Sequence, residues 1–333
     1  MITAGSGETE RVGADRWPSW EHAWQQALYG PGGFFTSGAG PAAHFRTAVH
    51  AAAPLLAGAL LRLAGEHGCS AVVDVGAGRG ELLTAMAAQP GADGVRLHGV
   101  DLVPRPGALP ARIGWSAGLA GLPAQALDGA LLVAWELLDD VACPVLELDQ
   151  DRVPRTVLVD PSTGTERLGE PAPDADQAWC ERWWPLDGAP PGSRAEVGRP
   201  RDEAWAALVD RVAGTSSGGV LLAVDYAHRA GERPPAGSLS AFRAGRAVPP
   251  VPDGSCDLTA HVALDAVAAG GERAGATGTR LTDQRTALRE LGVGRTVHGI
   301  TLLQQLQHRS WAAELLDPGS LGGFGWLLQP AGR

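Results

Sequence analysis

Asp74-Val75-Gly76-Ala77-Gly78-Arg79-Gly80 stands directly after the apolar run Ala71-Val72-Val73. An acidic residue closes a short buried strand, and alternating glycines then turn the chain into a helix predicted to start near Glu81. Glycine suits such a bend because it reaches positive φ and, lacking a Cβ, lets backbone amides approach a ligand closely. The spacing is informative. A dinucleotide-binding turn reads G-x-G-x-x-G, whereas this one reads acid-x-G-x-G-x-G. That spacing speaks against a nicotinamide-dependent oxidoreductase on the same kind of sheet.

The next apolar segment, Val95 to Asp101, reads as a second strand that also ends in an acid. In a doubly wound sheet an acid at this place lies near the first glycine turn and can accept hydrogen bonds from both hydroxyls of an adenosine ribose. An Asp capping a turn is the alternative. Asp101 comes later than the roughly 20 residues usual after the glycine turn, and the Gly/Pro/Ala stretch from Pro90 to Gly94 accounts for the surplus. A third segment, Leu127 to Glu136, reads as another buried strand ending in a carboxylate. Strand tips that deliver glycines and acids at one edge are where open α/β sheets bind their ligands.

Composition sets limits on the rest. The chain has 333 residues, 44% of them hydrophobic, and a net charge of −10. That is enough to bury one large core with appended lobes. The acidic balance argues against nonspecific nucleic-acid binding, which depends on neutralising many phosphates. All 27 basic residues counted as Lys+Arg are Arg, and Arg194, Arg199 and Arg201 cluster into either an anion site or a solvated loop. The four cysteines, Cys69, Cys143, Cys180 and Cys256, form no C-x-x-C pair, so neither a zinc site nor a disulfide framework is expected. The polar, acidic N-terminus does not read as a signal peptide. The most apolar stretch, Thr47 to Leu61, is too short for a membrane span and contains His50 and Pro54. The expectation is a cytoplasmic protein that binds neither membrane nor nucleic acid, with its oligomeric state open.

Residues 1–16 read as disordered, and residues 17–330 as one domain. A short helix is expected from Trp20 to Leu28, and Tyr29, Phe34 and Phe35 follow as either a lid or core packing. From Phe45, apolar positions at Val49, Ala52, Leu56, Leu60 and Leu63 keep helical spacing. An inserted lobe spans 144–202. It opens with a hairpin at Val145–Asp149 and Arg155–Asp160 and continues through a Pro/Gly/Asp-rich stretch whose Trp179, Trp183 and Trp184 need a surface to bury against. A helix at Glu203–Val212 and a buried strand at Gly219–Asp225 follow, then an irregular second insertion over 229–256. Helices near Val262–Ala269, Thr282–Leu291 and Leu302–Leu316, a short strand near Ala276 and a final strand at Gly325–Gln329 complete the pattern. Strands alternating with helices indicate a mostly parallel α/β sheet.

Several of these segments also carry motifs. His44 to His50 precedes the glycine turn, Trp135-Glu136-Leu137-Leu138-Asp139 follows the third apolar strand, and Asp225-Tyr226-Ala227 ends a later one. Asp257-Leu258-Thr259-Ala260-His261-Val262 and the set Gln284, Leu288, Leu291 and Gly292 come further on. The glycine turn resembles the first loop of class I methyltransferases that use S-adenosylmethionine. From about Leu28 to Gln329 the chain resembles the MidA-like methyltransferases, relatives of the mitochondrial complex I assembly arginine methyltransferase. The Asp257–Val262 segment is the most specific mark of that family. Departures fall at Trp135, where the family has Asn, and at Ala48, Val49 and His50, where it has S-P-E.

The resemblance implies a Rossmann-like class I methyltransferase fold: a mostly parallel seven-stranded sheet, helices on both faces and inserted lobes. It implies S-adenosylmethionine as cofactor, held by Thr47, Asp74, Gly76, Ala77, Gly78, Gly80, Asp101, Leu102 and Glu136. The implied acceptor is a protein side chain. If that acceptor is a guanidinium, carboxylates must bind it; Glu136 is the leading candidate, with Asp139 or Asp225 assisting. Glu136 as a solvated loop residue, Asp74 and Asp225 as turn caps, and His261 as either a base or a hydrogen-bonded structural residue remain open beside these roles. A second reading is a cofactor-binding assembly protein with little turnover, in which Trp135 fills the acceptor pocket. No metal ligand set is visible.

Overall fold

The computed structural model describes residues 17–36, 48–296, 299 and 301–332. The stretch 1–16 and Thr47, with the rest of 44–47, lie outside the described residues. Seven strands form the central sheet: β1 Ala71–Val75, β2 Arg96–Asp101, β3 Ile113–Ala117, β4 Ala130–Trp135, β5 Gly219–Asp225, β6 Arg280–Asp283 and β7 Gly325–Ala331. Their order is β6-β7-β5-β4-β1-β2-β3. β1 runs parallel to β2 and β4, and β7 runs antiparallel to both neighbours, so β7 alone points the other way.

Both faces of this sheet are covered, which is why its central strands read as unbroken apolar runs. Successive side chains of a strand point to opposite faces. Val72, Leu131, Val133, Val220 and Leu222 therefore pack on one side with Leu56 and Leu60 of helix Ala48–Glu66 and Leu82 and Leu83 of helix Glu81–Ala87. Val73, Leu132 and Leu221 pack on the other with Trp205 and Leu208 of helix Arg199–Ala213 and Val267 of helix Leu264–Arg273. The chain first builds outward from β1 to β2 and β3, then returns to place β4 on β1's other side. That reversal opens a crevice beyond the carboxyl ends of β1 and β4.

Several segments differ from expectation. β3 was not predicted; it is a five-residue edge strand whose burial is only partial. The lobe hairpin extends into a four-stranded antiparallel sheet, with Glu166–Pro171 on one edge and Arg194–Glu196 on the other. The Pro/Gly/Asp-rich stretch contains a helix, Asp174–Trp183. Trp179 and Trp184 are buried there against Leu146, Ala195 and Val197, while Trp183 is partly buried. The second insertion is not irregular throughout: Ser240–Arg243 and Arg246–Val248 form a three-stranded sheet with Asp257–Thr259. Ala276 makes only an isolated bridge to Ala331, and the strand expected near it lies at Arg280–Asp283 instead.

Candidate functional site

The site begins where β1 ends. The amides of Gly76 and Ala77 both donate to the Val100 carbonyl, at 2.9 and 3.1 Å, which ties the turn to β2. Gly76, Gly78 and Gly80 all have positive φ, at 79°, 58° and 79°. A side chain would be strained at each. At Gly80 it would also collide, because a Cβ there would lie 2.4 Å from Leu109 Cδ1. Asp101, at the tip of β2, leans over this turn. Its Oδ2 accepts from the Gly78 amide at 2.8 Å and its Oδ1 from the Val103 amide at 3.1 Å. Leu102 beside it is 38% exposed, an apolar surface open at the strand edge. Burial pushes the Asp74 carboxyl up to about 7, and the charges of Asp101 and Glu81 add to the shift.

The second half of the site is the turn after β4. Glu136 takes a left-handed backbone, φ 48°, with its amide on the Val224 carbonyl at 2.8 Å. Such a conformation costs about 1–3 kcal/mol and persists only where surrounding contacts fix it. Asp225 fixes the residues that follow Glu136 in the turn. Wholly buried at the end of β5, its Oδ2 accepts from the amides of Leu138 and Asp139 at 2.9 and 3.3 Å. Asp139 in turn accepts from the Thr259 hydroxyl at 2.7 Å. The Asp257–Val262 segment is thus packed directly against the post-β4 turn.

Carboxyl groups crowd this turn. Burial raises Asp139, Asp140, Asp225 and Asp257; for Asp140 the charge of Asp257 comes next, and for Asp225 and Asp257 that of Asp139. Asp139 Oδ1, Asp225 Oδ1 and Asp257 Oδ1 are buried without a hydrogen-bond partner among the described residues. The opposing charge comes from Arg201. Its side chain is 1% exposed and donates to four carbonyls: Asp139 at 2.8 Å, Val141 at 3.0 Å, Ala260 at 3.0 Å and His261 at 2.9 Å.

The Arg cluster is therefore neither an anion site nor a solvated loop. Arg201 is a staple, Arg194 pairs with Glu147 and Glu166, and Arg199 pairs with Asp176 and Glu203. Trp135 does not stand free at the acceptor side: 6% exposed, its ring meets Trp326 edge-on at 5.9 Å in the core. Phe34 is core, 3% exposed, and the Tyr29 hydroxyl reaches the Asp140 carbonyl at 3.5 Å. The His261 amide donates to the Ser238 hydroxyl at 2.9 Å, and its ring stacks on Tyr226. The structure thus gathers Asp74, Gly76, Ala77, Gly78, Gly80, Asp101, Leu102, Glu136, Asp139 and Asp225 at one edge of the sheet, at or next to the carboxyl ends of β1, β2, β4 and β5. Arg201, Thr259 and Tyr226 were assigned no role at this edge from the sequence. The Thr259 motif was visible, but its partner was not.

Among the described residues no helix is long and apolar enough to cross a membrane, and no cluster of His, Cys, Asp and Glu could hold a metal. Residues 96–282, more than half of the chain, match a family described as "Putative S-adenosyl-L-methionine-dependent methyltransferase". A COG1565 superfamily member from Burkholderia thailandensis, crystallised with S-adenosyl-homocysteine, superimposes with a TM-score of 0.75 at 25% identity, covering 94% of this chain and 88% of its own. A native structure of a COG1565 protein from the same organism gives a TM-score of 0.75 at 23% identity, over 94% and 87%. Among curated proteins there is no match.

Proposed function

We propose, from the premise that this chain belongs to the S-adenosyl-L-methionine-dependent methyltransferase family, that it methylates the guanidinium of a protein arginine, as a MidA-like enzyme of the cytoplasm. The observation that carries the acceptor is the crowd of buried carboxyls around the post-β4 turn, at the same sheet edge as the glycine turn.

The residues fit the cofactor. At Gly78 a Cβ would meet nothing of the protein closer than Glu81 at 3.5 Å, so the backbone at the centre of the turn is bare toward a ligand. Asp101 is held in place by two amides, and each carboxylate oxygen keeps a lone pair for a ribose hydroxyl. Leu102 offers the apolar surface a purine covers, and Asp74 the charge an ammonium favours. S-adenosylmethionine supplies an electrophilic methyl group carried on a sulfonium. What the protein adds is mainly alignment, which can lower a barrier by up to about 7–11 kcal/mol in ideal cases.

On the acceptor side, Glu136 and Asp139 accept N–H bonds from the guanidinium and fix its plane. Asp225 acts through the backbone: by holding the amides of Leu138 and Asp139 it keeps Glu136 in its left-handed turn. Crowded carboxyls resist ionising together, so an arriving cation favours their ionised form. An assembly role without turnover has less support, because the Trp135 ring lies against Trp326 and leaves the acceptor side clear. The widely spaced free cysteines suit a reducing compartment.

Incubating a proteome with methyl-labelled cofactor tests this reading. The expected product is label on arginine, lost in Glu136→Gln while S-adenosylhomocysteine still binds. Label confined to other residues or to small molecules, or full activity in Glu136→Gln, contradicts it.

A further inference from the structure

A hollow of about 310 Å³ lies at the same sheet edge, with Tyr226, His261, Leu321 and Phe324 among its walls. Its position follows from strand register. Gly325 of β7 pairs with Asp225 of β5, and Trp135 of β4 pairs with Val224, so Phe324, Tyr226 and Glu136 all leave the sheet at one level. Three rings line the hollow. Tyr226 lies 4.2 Å from Phe324 between centroids and stacks on His261 at 5.9 Å, with 18° between planes.

Acidic groups predominate around these rings, and Arg201, which donates to the His261 carbonyl, opposes them. Burial raises the Tyr226 phenol, and Glu136, Asp139, Asp225 and Asp140 add to it, so the carboxyl crowd faces this ring. No arginine lines the hollow among the described residues. Burial lowers His261, which keeps its imidazole neutral near pH 7. A ring face carries partial negative charge and attracts a cation placed over it. Aromatic walls beside a crowd of carboxyls, with the Arg201 guanidinium engaged by four backbone carbonyls and no arginine in the lining, suit a cationic ligand.

We propose that this hollow is the acceptor subsite and that it binds a cationic side chain against the Tyr226 and Phe324 rings. The assignment rests on the reading that the chain methylates a basic acceptor, and it adds where that acceptor sits and which residues select it. The Tyr226 phenol stays protonated and serves as an aromatic wall, not as a base.

The test uses the full chain saturated with S-adenosylhomocysteine and three probes: N-acetyl-arginine amide, N-acetyl-lysine amide and the neutral isostere N-acetyl-citrulline amide. Calorimetry should show a cationic probe binding and citrulline failing to bind. Tyr226→Ala should weaken the cation by about tenfold, the size expected for a lost cation–π contact. Tyr226→Phe should keep it, and cofactor-product affinity should stay unchanged in both. Magnetisation transfer in the wild-type protein should place the probe on the Tyr226 and Phe324 ring protons. That measurement decides the matter if Tyr226→Ala fails to fold.

Citrulline binding as tightly as arginine, probe contacts elsewhere, or undiminished binding in a folded Tyr226→Ala overturns the subsite. Lysine binding in place of arginine keeps the subsite and contradicts the arginine reading. Labelled arginine produced by a Tyr226→Ala protein with unchanged KM keeps the arginine reading and overturns the subsite.

Discussion

Asp101 holds two backbone amides before any ligand arrives, one from the glycine turn and one from Val103. Its removal should therefore cost twice, through lost ribose bonds and through a loosened turn. Asp101→Ala should weaken S-adenosylhomocysteine by about 3–6 kcal/mol, since two hydrogen bonds to a charged group contribute about 1.5–3 kcal/mol each. Calorimetric titration measures this, and unchanged affinity removes the ribose assignment. Asp74 makes a different prediction. Its carboxyl, pushed up to about 7, holds a proton that the unfolded chain releases near the ordinary carboxylate pKa. Between those two values the native state binds more protons than the unfolded one, so the free protein should lose stability as pH rises through that window. The loss should approach about 1.4 kcal/mol per pH unit at its steepest. Thermal melts of the ligand-free protein from pH 5 to 8 should show the fall, and Asp74→Asn should make it shallower while the other raised carboxyls keep the rest; identical slopes in the two proteins contradict the shift.

Among elements, the join between the post-β4 turn and the Asp257–Val262 segment depends on Arg201. Replacing it by Met keeps much of the volume, strands the carbonyls of Val141, Ala260 and His261, and leaves that of Asp139 with the Ala260 amide. Arg201→Met should cost about 3 kcal/mol or more, because each buried polar group left unpaired costs about 1–3 kcal/mol. Urea midpoints give the number, and a change under about 0.5 kcal/mol, the range of ordinary surface substitutions, contradicts the staple. This join also marks where the sequence stops being legible. β1, β4 and β5 were readable because strands buried on both faces are continuously apolar. The glycine turn was readable because its conformation demands its residues. β3 hid its strand character in a short edge of mixed burial, and Glu166–Pro171 in polar, exposed residues. The Arg201 staple and the Thr259–Asp139 bond join positions about 60 and 120 residues apart, which no local pattern announces. Arg201 looked like a surface charge because nothing nearby in sequence says that it is buried.

The molecule as a whole is one sheet with its accessories gathered around the carboxyl edge. The first helix, Trp20–Tyr29, belongs to that gathering: Trp20 and Trp24 pack with Val145 and Val157 of the lobe and with Leu258, and the Trp24 indole donates to the Leu258 carbonyl at 2.9 Å. Lobe, second insertion and first helix thus share one core beside the candidate site, so the setting of that site and the stability of the fold draw on the same contacts. The family match begins at residue 96, after the glycine turn. The case for a donor at Gly76–Gly80 therefore rests on the geometry of the turn itself. A crystal of this protein grown with S-adenosylhomocysteine examines that geometry most directly. Density against residues 76–80, with the ribose hydroxyls on Asp101 and the sulfur turned toward Glu136, is the result expected. Product bound at any other edge of the sheet, or a glycine turn left bare at saturating concentration, contradicts the account.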